Sequence, residues 1–192
     1  TFTLVHKKYP GLINCVSTNG LNLTVNAEKL KIAGVKTLTV TVNSVNPETQ
    51  NKINSFIIYN GEKLEGVESA EILIKNQLEG LKIARNHGFE IKVNTVLIPG
   101  GNEHERELTA KTVKEAGAGR INIIPVIPQH KFKDIAVPNC IQIEKARQDA
   151  EKNIEVFRHC KHCRADACGI PGTGVDFAET LYDQRLDTFS HG

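Results

Sequence analysis

The chain has 192 residues, with 24 lysines and arginines against 22 aspartates and glutamates, a formal net charge of +2. This length suits one domain with a sizeable core, and the near balance of charge excludes a strongly basic surface for nucleic acid or anionic membranes. The sequence has no apolar run of membrane-spanning length and no signal-peptide pattern, and its 5 cysteines are an odd count that argues against a secreted disulfide scaffold. We therefore expect a protein of the reducing cytoplasm.

The beginning of the sequence indicates that a preceding segment is absent. The chain contains no methionine, and it opens on Thr1, Phe2 and Thr3 in a pattern typical of the middle of a helix. We expect the N-terminal part of a larger protein to precede these residues.

Helix and strand patterns alternate along the chain. A basic helix covers residues 1–9, Asn26 is placed to cap the next helix, and Asn46 with Pro47 is placed to begin a third. Runs of β-branched and apolar residues predict strands at residues 12–17, 35–42, 89–98, 120–127 and 154–157. Longer helices are predicted at residues 67–87, 103–116 and 138–152.

This alternation predicts an α/β fold, with a parallel sheet and helices packed outside it. Ligands of such folds gather at the carboxyl ends of the strands, whether the sheet is open or closed into a barrel. The loops that follow the predicted strands are small, polar or glycine-rich, which favours ligand binding at this edge. They comprise residues 18–20, 43–46, 99–102 and 128–130.

A cysteine cluster lies near the C-terminus, at residues 159–168 (HCKHCRADAC). Cys160 and Cys163 stand at the C-x-x-C spacing, which lets two sulfurs reach one metal without backbone strain, and two basic residues inside the motif favour the thiolate form. These residues alone leave a metal site, a thioredoxin-like redox pair and structural cysteines open as alternatives. The further candidate ligands for a zinc quartet are His159, His162 and Cys168.

Other positions have both a structural and a functional interpretation. Cys15 is predicted in a strand as a buried free cysteine, the commoner state of such a residue. Asn94 shares a strand face with Lys92, so its side chain needs either a loop-capping hydrogen bond or a polar ligand. Asn43 is expected to cap a helix rather than bind a ligand. Cys140 falls in a predicted amphipathic helix, in the core or at the surface.

Several motifs occur together in a fixed order. They are CVSTNGL at residues 15–21, TVTVN at 39–43, KVNTVLIPG at 92–100, HCxxCRAD at 159–166 and TFSHG at 188–192. In this combination the chain resembles the radical S-adenosylmethionine (SAM) enzymes that mature the nitrogenase cofactor, and the resemblance covers essentially the whole chain. The TNG motif is general to radical SAM enzymes, whereas HCxxCRAD after this series of strands is specific.

The resemblance implies a partial (βα) barrel of the radical SAM type, with parallel strands, outer helices, and clusters and SAM in its mouth. The implied chemistry fuses two 4Fe–4S clusters, K1 and K2, into an eight-iron precursor of the iron–molybdenum cofactor, with a SAM-derived carbon and an added sulfur. Cys160 and Cys163 would hold K2, and Cys15 would be one ligand of K1, since thiolates are the usual ligands of such clusters. The residues implied for SAM are Thr18, Asn43, Glu48, Asn94 and Ile98, with Ile98 beside the adenine.

The sequence also departs from that family. The C-x-x-x-C-x-x-C signature of the radical-generating cluster is absent, because no cysteine precedes Cys15. The resemblance therefore implies that the N-terminal strands of the barrel are missing from this chain and that the chain is inactive alone. His162 stands where glutamine is usual and Cys168 where an apolar residue is usual, so each is either an extra K2 ligand or a neutral variation.

We accordingly expect two regions, residues 1–158 as the C-terminal part of a radical SAM barrel and residues 159–192 as the cysteine motif and tail. The expected partners are iron–sulfur cluster donors and the downstream scaffold or carrier proteins of nitrogenase cofactor assembly. Two alternatives stay open: a non-enzymatic iron–sulfur carrier that binds one cluster through Cys160 and Cys163, and a structural zinc site at the same residues.

Overall fold

The computed structural model describes residues 1–158, and the first compact unit of the chain spans Thr1–Val156. Its elements are α1 (Phe2–Lys8), β1 (Asn14–Thr18), α2 (Leu23–Ile32), β2 (Val35–Thr41), α3 (Pro47–Ile53), β3 (Ile57–Tyr59), β4 (Glu62–Leu64), α4 (Gly66–Asn86), β5 (Glu90–Leu97), α5 (Arg106–Glu115), β6 (Arg120–Pro125), a 3-10 turn (His130–Phe132), α6 (Cys140–Glu151) and β7 (Glu155–Val156). The predicted division after residue 158 stays a prediction, because residues 159–192 lie outside the described part.

The main sheet has 5 strands in the order β1-β2-β5-β6-β7, and every neighbouring pair is parallel. This confirms the predicted α/β class with parallel strands and connecting helices. A separate antiparallel hairpin, β3-β4, lies between α3 and α4, where the sequence analysis predicts no strand. Its turn uses Asn60 and Gly61, both at positive φ (53° and 85°), as the tight turn between two short strands requires.

The main sheet has one apolar face, and the helices cover it. Alternate residues of the central strands are buried there, and α2, α4, α5 and α6 pack their small and aliphatic residues against them in one cluster. The buried strand residues include Leu38, Val40, Ile91, Val93, Ile121 and Ile123. The helix residues that meet them include Ala27, Leu81, Ala110, Val113, Ala146 and Ala150.

The opposite face of the same sheet is mostly polar, and we call it the polar face. It is defined by the residues that alternate with the core residues along β1, β2, β5, β6 and β7: Cys15, Ser17, Thr37, Thr39, Thr41, Glu90, Lys92, Asn94, Val96, Arg120, Asn122, Ile124 and Glu155. A parallel sheet covered by apolar layers on both sides has nearly continuous apolar strands. The alternation seen here therefore marks the polar face as a surface for polar groups rather than for a second apolar layer.

The expectation of a buried Cys15 is wrong. The strand predicted at residues 12–17 begins later, at Asn14, and β1 forms an edge of the described sheet. Cys15 and Ser17 are exposed because they lie on the polar face, while Val16 between them packs against the core. The cysteine is thus accessible instead of serving as a small buried hydrophobe.

Two of the three predicted helix caps need correction. Asn26 does not cap α2, which begins at Leu23; its Nδ2 instead donates to Asn22 O within the helix at 2.9 Å. The cap of α3 is confirmed at Asn46, whose side-chain oxygen accepts two backbone N–H groups of the first turn at 2.9 and 3.2 Å. Asn43 caps no described helix, because its side chain bonds to a neighbouring strand.

An ion pair joins the last two described helices. Arg106 of α5 donates to Asp149 of α6 through Nη2 at 2.8 Å and through Nε at 3.3 Å. The hydrogen bond from Arg106 is the largest cause that holds the pKa of Asp149 below its usual value, and Lys152 acts in the same direction. The charged form of Asp149 is therefore favoured in the folded protein.

We predict that Asp149→Asn lowers the free energy of unfolding at pH 7 by about 0.5–1 kcal/mol, the range of a well-formed ion pair near the surface. Because the folded pKa of Asp149 is depressed, its contribution is present above the unfolded pKa and is lost as the pH falls through the folded value. Urea unfolding at pH 7 and at about pH 2 measures both values. The exposed Asp134→Asn is the control, and an equal loss from the control would contradict the prediction.

Candidate functional site

Two of the predicted loops are tied together by Asn102 at the carboxyl edge of the main sheet. Its Nδ2 donates to Asn43 O at 2.7 Å and to Val96 O at 2.8 Å, and its Oδ1 accepts from Ile98 N at 2.9 Å. Asn43 Oδ1 in turn accepts from Val96 N at 3.0 Å. The side chain of Asn43, predicted for SAM, is therefore already engaged in fixing the end of β2 against β5.

A buried carboxylate holds the same edge from the side of the helices. Glu105 is 5% exposed, and its two oxygens accept from Ser44 Oγ at 2.5 Å and from Thr49 Oγ1 at 2.6 Å. His104 Nε2 lies 3.3 Å from one of these oxygens. These bonds connect the loop before α5 to the loop and first turn at α3. The predicted helix start at residue 103 is consequently wrong, since α5 begins at Arg106.

The Thr-Asn-Gly loop after β1 is held by Gln77 of α4. Gln77 Nε2 donates to Asn19 O at 2.8 Å and to Thr41 O at 2.9 Å, which joins this loop to the end of β2. Gly20 has φ +81, and an added Cβ would meet Gln77 Cγ and Val40 Cγ1, each at 2.9 Å. Only glycine fits this position. Thr18 Oγ1 accepts from Gly20 N at 3.1 Å, which leaves its hydroxyl proton available to a ligand.

Asn94 is paired with Asn122 on the polar face. The register places Thr41, Asn94 and Asn122 in one row across β2, β5 and β6. Asn122 Nδ2 donates to Asn94 Oδ1 at 3.3 Å, and Asn122 is 1% exposed with no partner for its own Oδ1. Asn94 therefore bonds to Asn122 instead of capping a loop, and its expected role toward a polar ligand stays a prediction.

Cys15 shares the polar face with this row but not its position along the strands. It lies opposite Thr37, whereas Asn94 lies opposite Thr41, four residues further along β2. At about 3.3 Å per residue this separates Cys15 from the asparagine row by roughly 13 Å along the strand. The sulfur makes one long contact, to Ile13 O at 3.8 Å.

The remaining predicted site residues fall in different surroundings. Ile98 is 3% exposed and lines a pocket with Pro99, Phe132 and neighbouring residues of α3. Glu48 is exposed on the first turn of α3. Cys140 is an exposed free cysteine at the start of α6.

Metal ligation by the described residues alone has little support. Within residues 1–158, no group of three or more His, Cys, Asp or Glu side chains is placed to hold a metal ion. Cys160 and Cys163, together with His162 and Cys168, lie outside the described residues. Cys15 is thus the one predicted cluster ligand whose surroundings can be described.

Sequence reasoning missed several residues that organise the site. Glu105, Asn102 and Gln77 lie in a loop or a long helix, where polar residues normally face water, so their burial could not be read from local sequence. Asn122 could have been predicted from the sequence, because it interrupts the apolar strand RINIIP in the same way that Asn94 interrupts KVNTVLI. The same argument about buried polar groups applies to both residues.

Comparison with known proteins identifies the family of this chain and several of its relatives. The model of the radical SAM superfamily matches residues 2–113. The chain is 44% identical over 171 residues to the FeMo cofactor biosynthesis protein NifB of Methanocaldococcus infernus, covering 88% of this chain and 56% of that protein. It is 42% identical to NifB of Methanocaldococcus jannaschii, with the same 88% and 56% coverage. For NifB of Chlorobaculum tepidum the identity is 34%, over 90% of this chain and 41% of that protein.

The chain therefore belongs to the radical SAM superfamily. Within it, the relatives named above are FeMo cofactor biosynthesis proteins, which confirms the resemblance drawn from the ordered motifs. The chain spans 56% of the length of the two Methanocaldococcus relatives. None of the helices in residues 1–158 has the length and apolar character needed to cross a membrane.

We predict that Glu105→Gln lowers the free energy of unfolding by about 1.5–3 kcal/mol, because two hydroxyl donors lose their charged acceptor in a buried position. Chemical denaturation at pH 7 measures this change. Glu115→Gln, at the exposed last residue of α5, is the matched control and should change stability by less than about 0.5 kcal/mol. Equal stability of the Glu105→Gln variant and the wild type would show that these bonds do not hold the edge together.

Proposed function

We propose that this chain forms part of a SAM-dependent maturase of the nitrogenase cofactor. In this proposal, radical carbon insertion accompanies the fusion of two 4Fe–4S clusters, K1 and K2, into the eight-iron precursor of the iron–molybdenum cofactor. The observation that carries the proposal is the polar face: it presents an accessible cysteine and the Asn94–Asn122 pair in a chain that is 44% identical over 171 residues to a FeMo cofactor biosynthesis protein.

The topology supports a partial (βα) barrel as the setting of this chemistry. The strands of the main sheet follow one another in chain order apart from the small hairpin, and α2, α4, α5 and α6 all pack on the same face. A doubly wound sheet would reverse its strand order and carry helices on both faces. A barrel keeps the helices outside and turns the other face inward. In that arrangement the polar face is the lining of the barrel.

The residues present fit SAM in part. The unpartnered oxygen of Asn122 and the half-buried Asn94 offer polar contacts, and the apolar pocket at Ile98 suits a planar ring such as adenine. Thr18 can donate its hydroxyl proton to SAM. Asn43 Oδ1 already accepts a hydrogen bond from Val96 N, so this oxygen is less available to SAM. Glu48, exposed on α3, would reach a ligand from the solvent side. When bound, SAM supplies the carbon to be inserted.

The clusters enter the proposal as substrates. Cys15 would provide one thiolate ligand of K1, and its exposure on the polar face leaves the sulfur open to such a ligand role. Cys160 and Cys163 would hold K2. Lys92 and Arg120 lie in register on the same face and would contact an anionic cluster there, while Glu155 Oε1, 3.7 Å from Arg120 Nη2, offsets part of this positive charge. The proposed partners are proteins that donate iron–sulfur clusters and scaffold or carrier proteins that accept the product.

A second candidate is a non-enzymatic iron–sulfur carrier that binds one cluster through the C-x-x-C pair and transfers it. The C-x-x-C pair at Cys160 and Cys163 would ligate a cluster in this role as well. A coding sequence upstream that contains a C-x-x-x-C-x-x-C signature would exclude the carrier. A structural zinc site at the same cysteines is the third alternative, and metal analysis separates it from both.

We predict that Cys160→Ala or Cys163→Ala, made in the complete gene product, abolishes the eight-iron product and leaves reductive cleavage of SAM intact. The physical reason is that the pair is proposed to hold one substrate cluster and not the SAM-cleaving centre. Product formation is followed by iron analysis and electron paramagnetic resonance, and cleavage by release of 5′-deoxyadenosine. Cys140→Ala, at the exposed cysteine of α6, is the control and should retain both activities. Undiminished product in either motif variant would overturn the assignment of K2.

A further inference from the structure

The pocket at Ile98 lies between segments that are far apart in the chain. Its volume is about 200 Å³, below the roughly 300–1,000 Å³ of pockets that enclose a whole ligand, so it suits one group of a ligand. Thr49, Lys52 and Ile53 of α3 form one wall, and the turn from Ile98 to Gly101 forms another. The width of the pocket is therefore set by whatever holds α3 against this turn.

The turn after β5 is fixed by its own hydrogen bonds. Gly101 N and Asn102 N both donate to Ile98 O, at 2.9 and 3.3 Å, and Asn102 Oδ1 accepts from Ile98 N at 2.9 Å. Gly100 has φ +71, and a Cβ added at Gly101 would meet Ile98 Cγ2 at 2.9 Å, so the turn is closed tightly on Ile98. This wall does not need α3 to keep its shape.

The wall formed by α3 has no such support of its own. α3 has 7 residues, and isolated helices shorter than about 12–15 residues are marginal in water, so tertiary contacts must hold it in place. Its two buried residues, Thr49 and Gln50, are both polar, and Gln50 Oε1 has no hydrogen-bond partner. Ile53 is only partly buried and lines the pocket. Apolar burial therefore contributes little to the placement of this helix.

Glu105 supplies the missing tie from the far side of the turn. Thr49 Oγ1 donates to Glu105 Oε1 at 2.6 Å, and Ser44 Oγ, in the loop before α3, donates to Glu105 Oε2 at 2.5 Å. All three side chains are buried, so little water competes for these bonds, and a carboxylate is a stronger acceptor than a neutral group. Glu105 thus holds α3 at a set distance from the segment that follows β5.

We propose that Glu105 is a positioning residue for the ligand group that enters this pocket, because its bond to Thr49 holds the α3 wall at the spacing a planar ring requires. This inference rests on the proposed function, in which the adenine of SAM enters the pocket at Ile98. Glu105 does not line the pocket itself and acts through Thr49. Without this bond, fewer molecules have a pocket that is ready to bind, and the apparent Kd rises by the same factor.

The test uses the complete gene product, reconstituted anaerobically with iron and sulfide, with S-adenosyl-L-homocysteine as the probe in isothermal titration calorimetry. Thr49→Val keeps the approximate shape of the side chain but removes the hydroxyl donor. It should weaken binding about fivefold, as expected when the pocket is ready in about one fifth of the molecules. Thr49→Ser keeps the donor and should stay within about twofold of the wild type.

A double-mutant cycle separates a role through Glu105 from a direct contact between Thr49 and the probe. Glu105→Met has a similar length without a strong acceptor and should itself weaken binding about fivefold. Thr49→Val added to Glu105→Met should then cause little further loss, because the bond is already absent. If Glu105→Met does not fold, Glu105→Gln takes its place in the cycle. A loss from Thr49→Val that is as large in the Glu105 variant as in the wild type would overturn the inference.

Thr95→Val is the matched control. Thr95 is as buried as Thr49, at 7% exposed, and its hydroxyl also makes one bond, to Val42 O at 2.7 Å, but it does not line the pocket. It should lose stability in urea unfolding and keep the affinity of the wild type. A merely structural role for the Glu105 bond predicts the same pattern for Thr49→Val, and that result would overturn the inference.

The wild type separates the two possible failures. If the reconstituted wild type does not bind the probe at all, the proposed function is contradicted. If the wild type binds and Thr49→Val binds equally well, the inference about Glu105 fails and the proposed function stands.

Discussion

The structure depends on the period-two alternation of its parallel strands. Aliphatic residues on one face are buried against α2, α4, α5 and α6, and burial at about 25 cal/mol per Å² of apolar surface makes this face the main source of stability. The other face carries mainly polar and charged residues and one cysteine, with Val96 and Ile124 paired toward its carboxyl end. A single alternation therefore separates the part of the sheet that holds the fold from the part that is available to ligands.

Side-chain hydrogen bonds hold together the loops that follow the strands at the carboxyl edge of the sheet. Asn102 and Glu105 satisfy backbone and hydroxyl groups of neighbouring loops, and Gln77 bridges the loop after β1 to β2. Hydrogen bonds between buried polar groups favour one arrangement of the backbone, and few substitutions are tolerated at such positions. The loops thus present Thr18 and Ile98 from fixed positions, while the asparagine row keeps one acceptor unpaired.

The order and type of the elements could be predicted from the sequence because β-branched runs, glycine stops and the Asn46 cap are local signals. The helix ends at α2 and α5 could not: Asn26 bonds back to Asn22 one turn earlier, and Glu105 has its partners at Ser44 and Thr49. Cys15 was misjudged because its burial depends on which face of an edge strand packs against helices. The residues proposed for SAM came from resemblance alone, and only their contacts distinguish the engaged Asn43 from the more available Asn94.

The central claim is that this chain carries thiolate ligands for iron–sulfur clusters, on the polar face and in the C-terminal motif. Anaerobic reconstitution with iron and sulfide, read by metal analysis and electron paramagnetic resonance, tests it most directly. The account predicts about four irons per occupied site, lost in the Cys160→Ala/Cys163→Ala double variant, reduced in Cys15→Ser and retained in Cys140→Ala. Zinc in place of iron, or the same iron content in every variant, would contradict it.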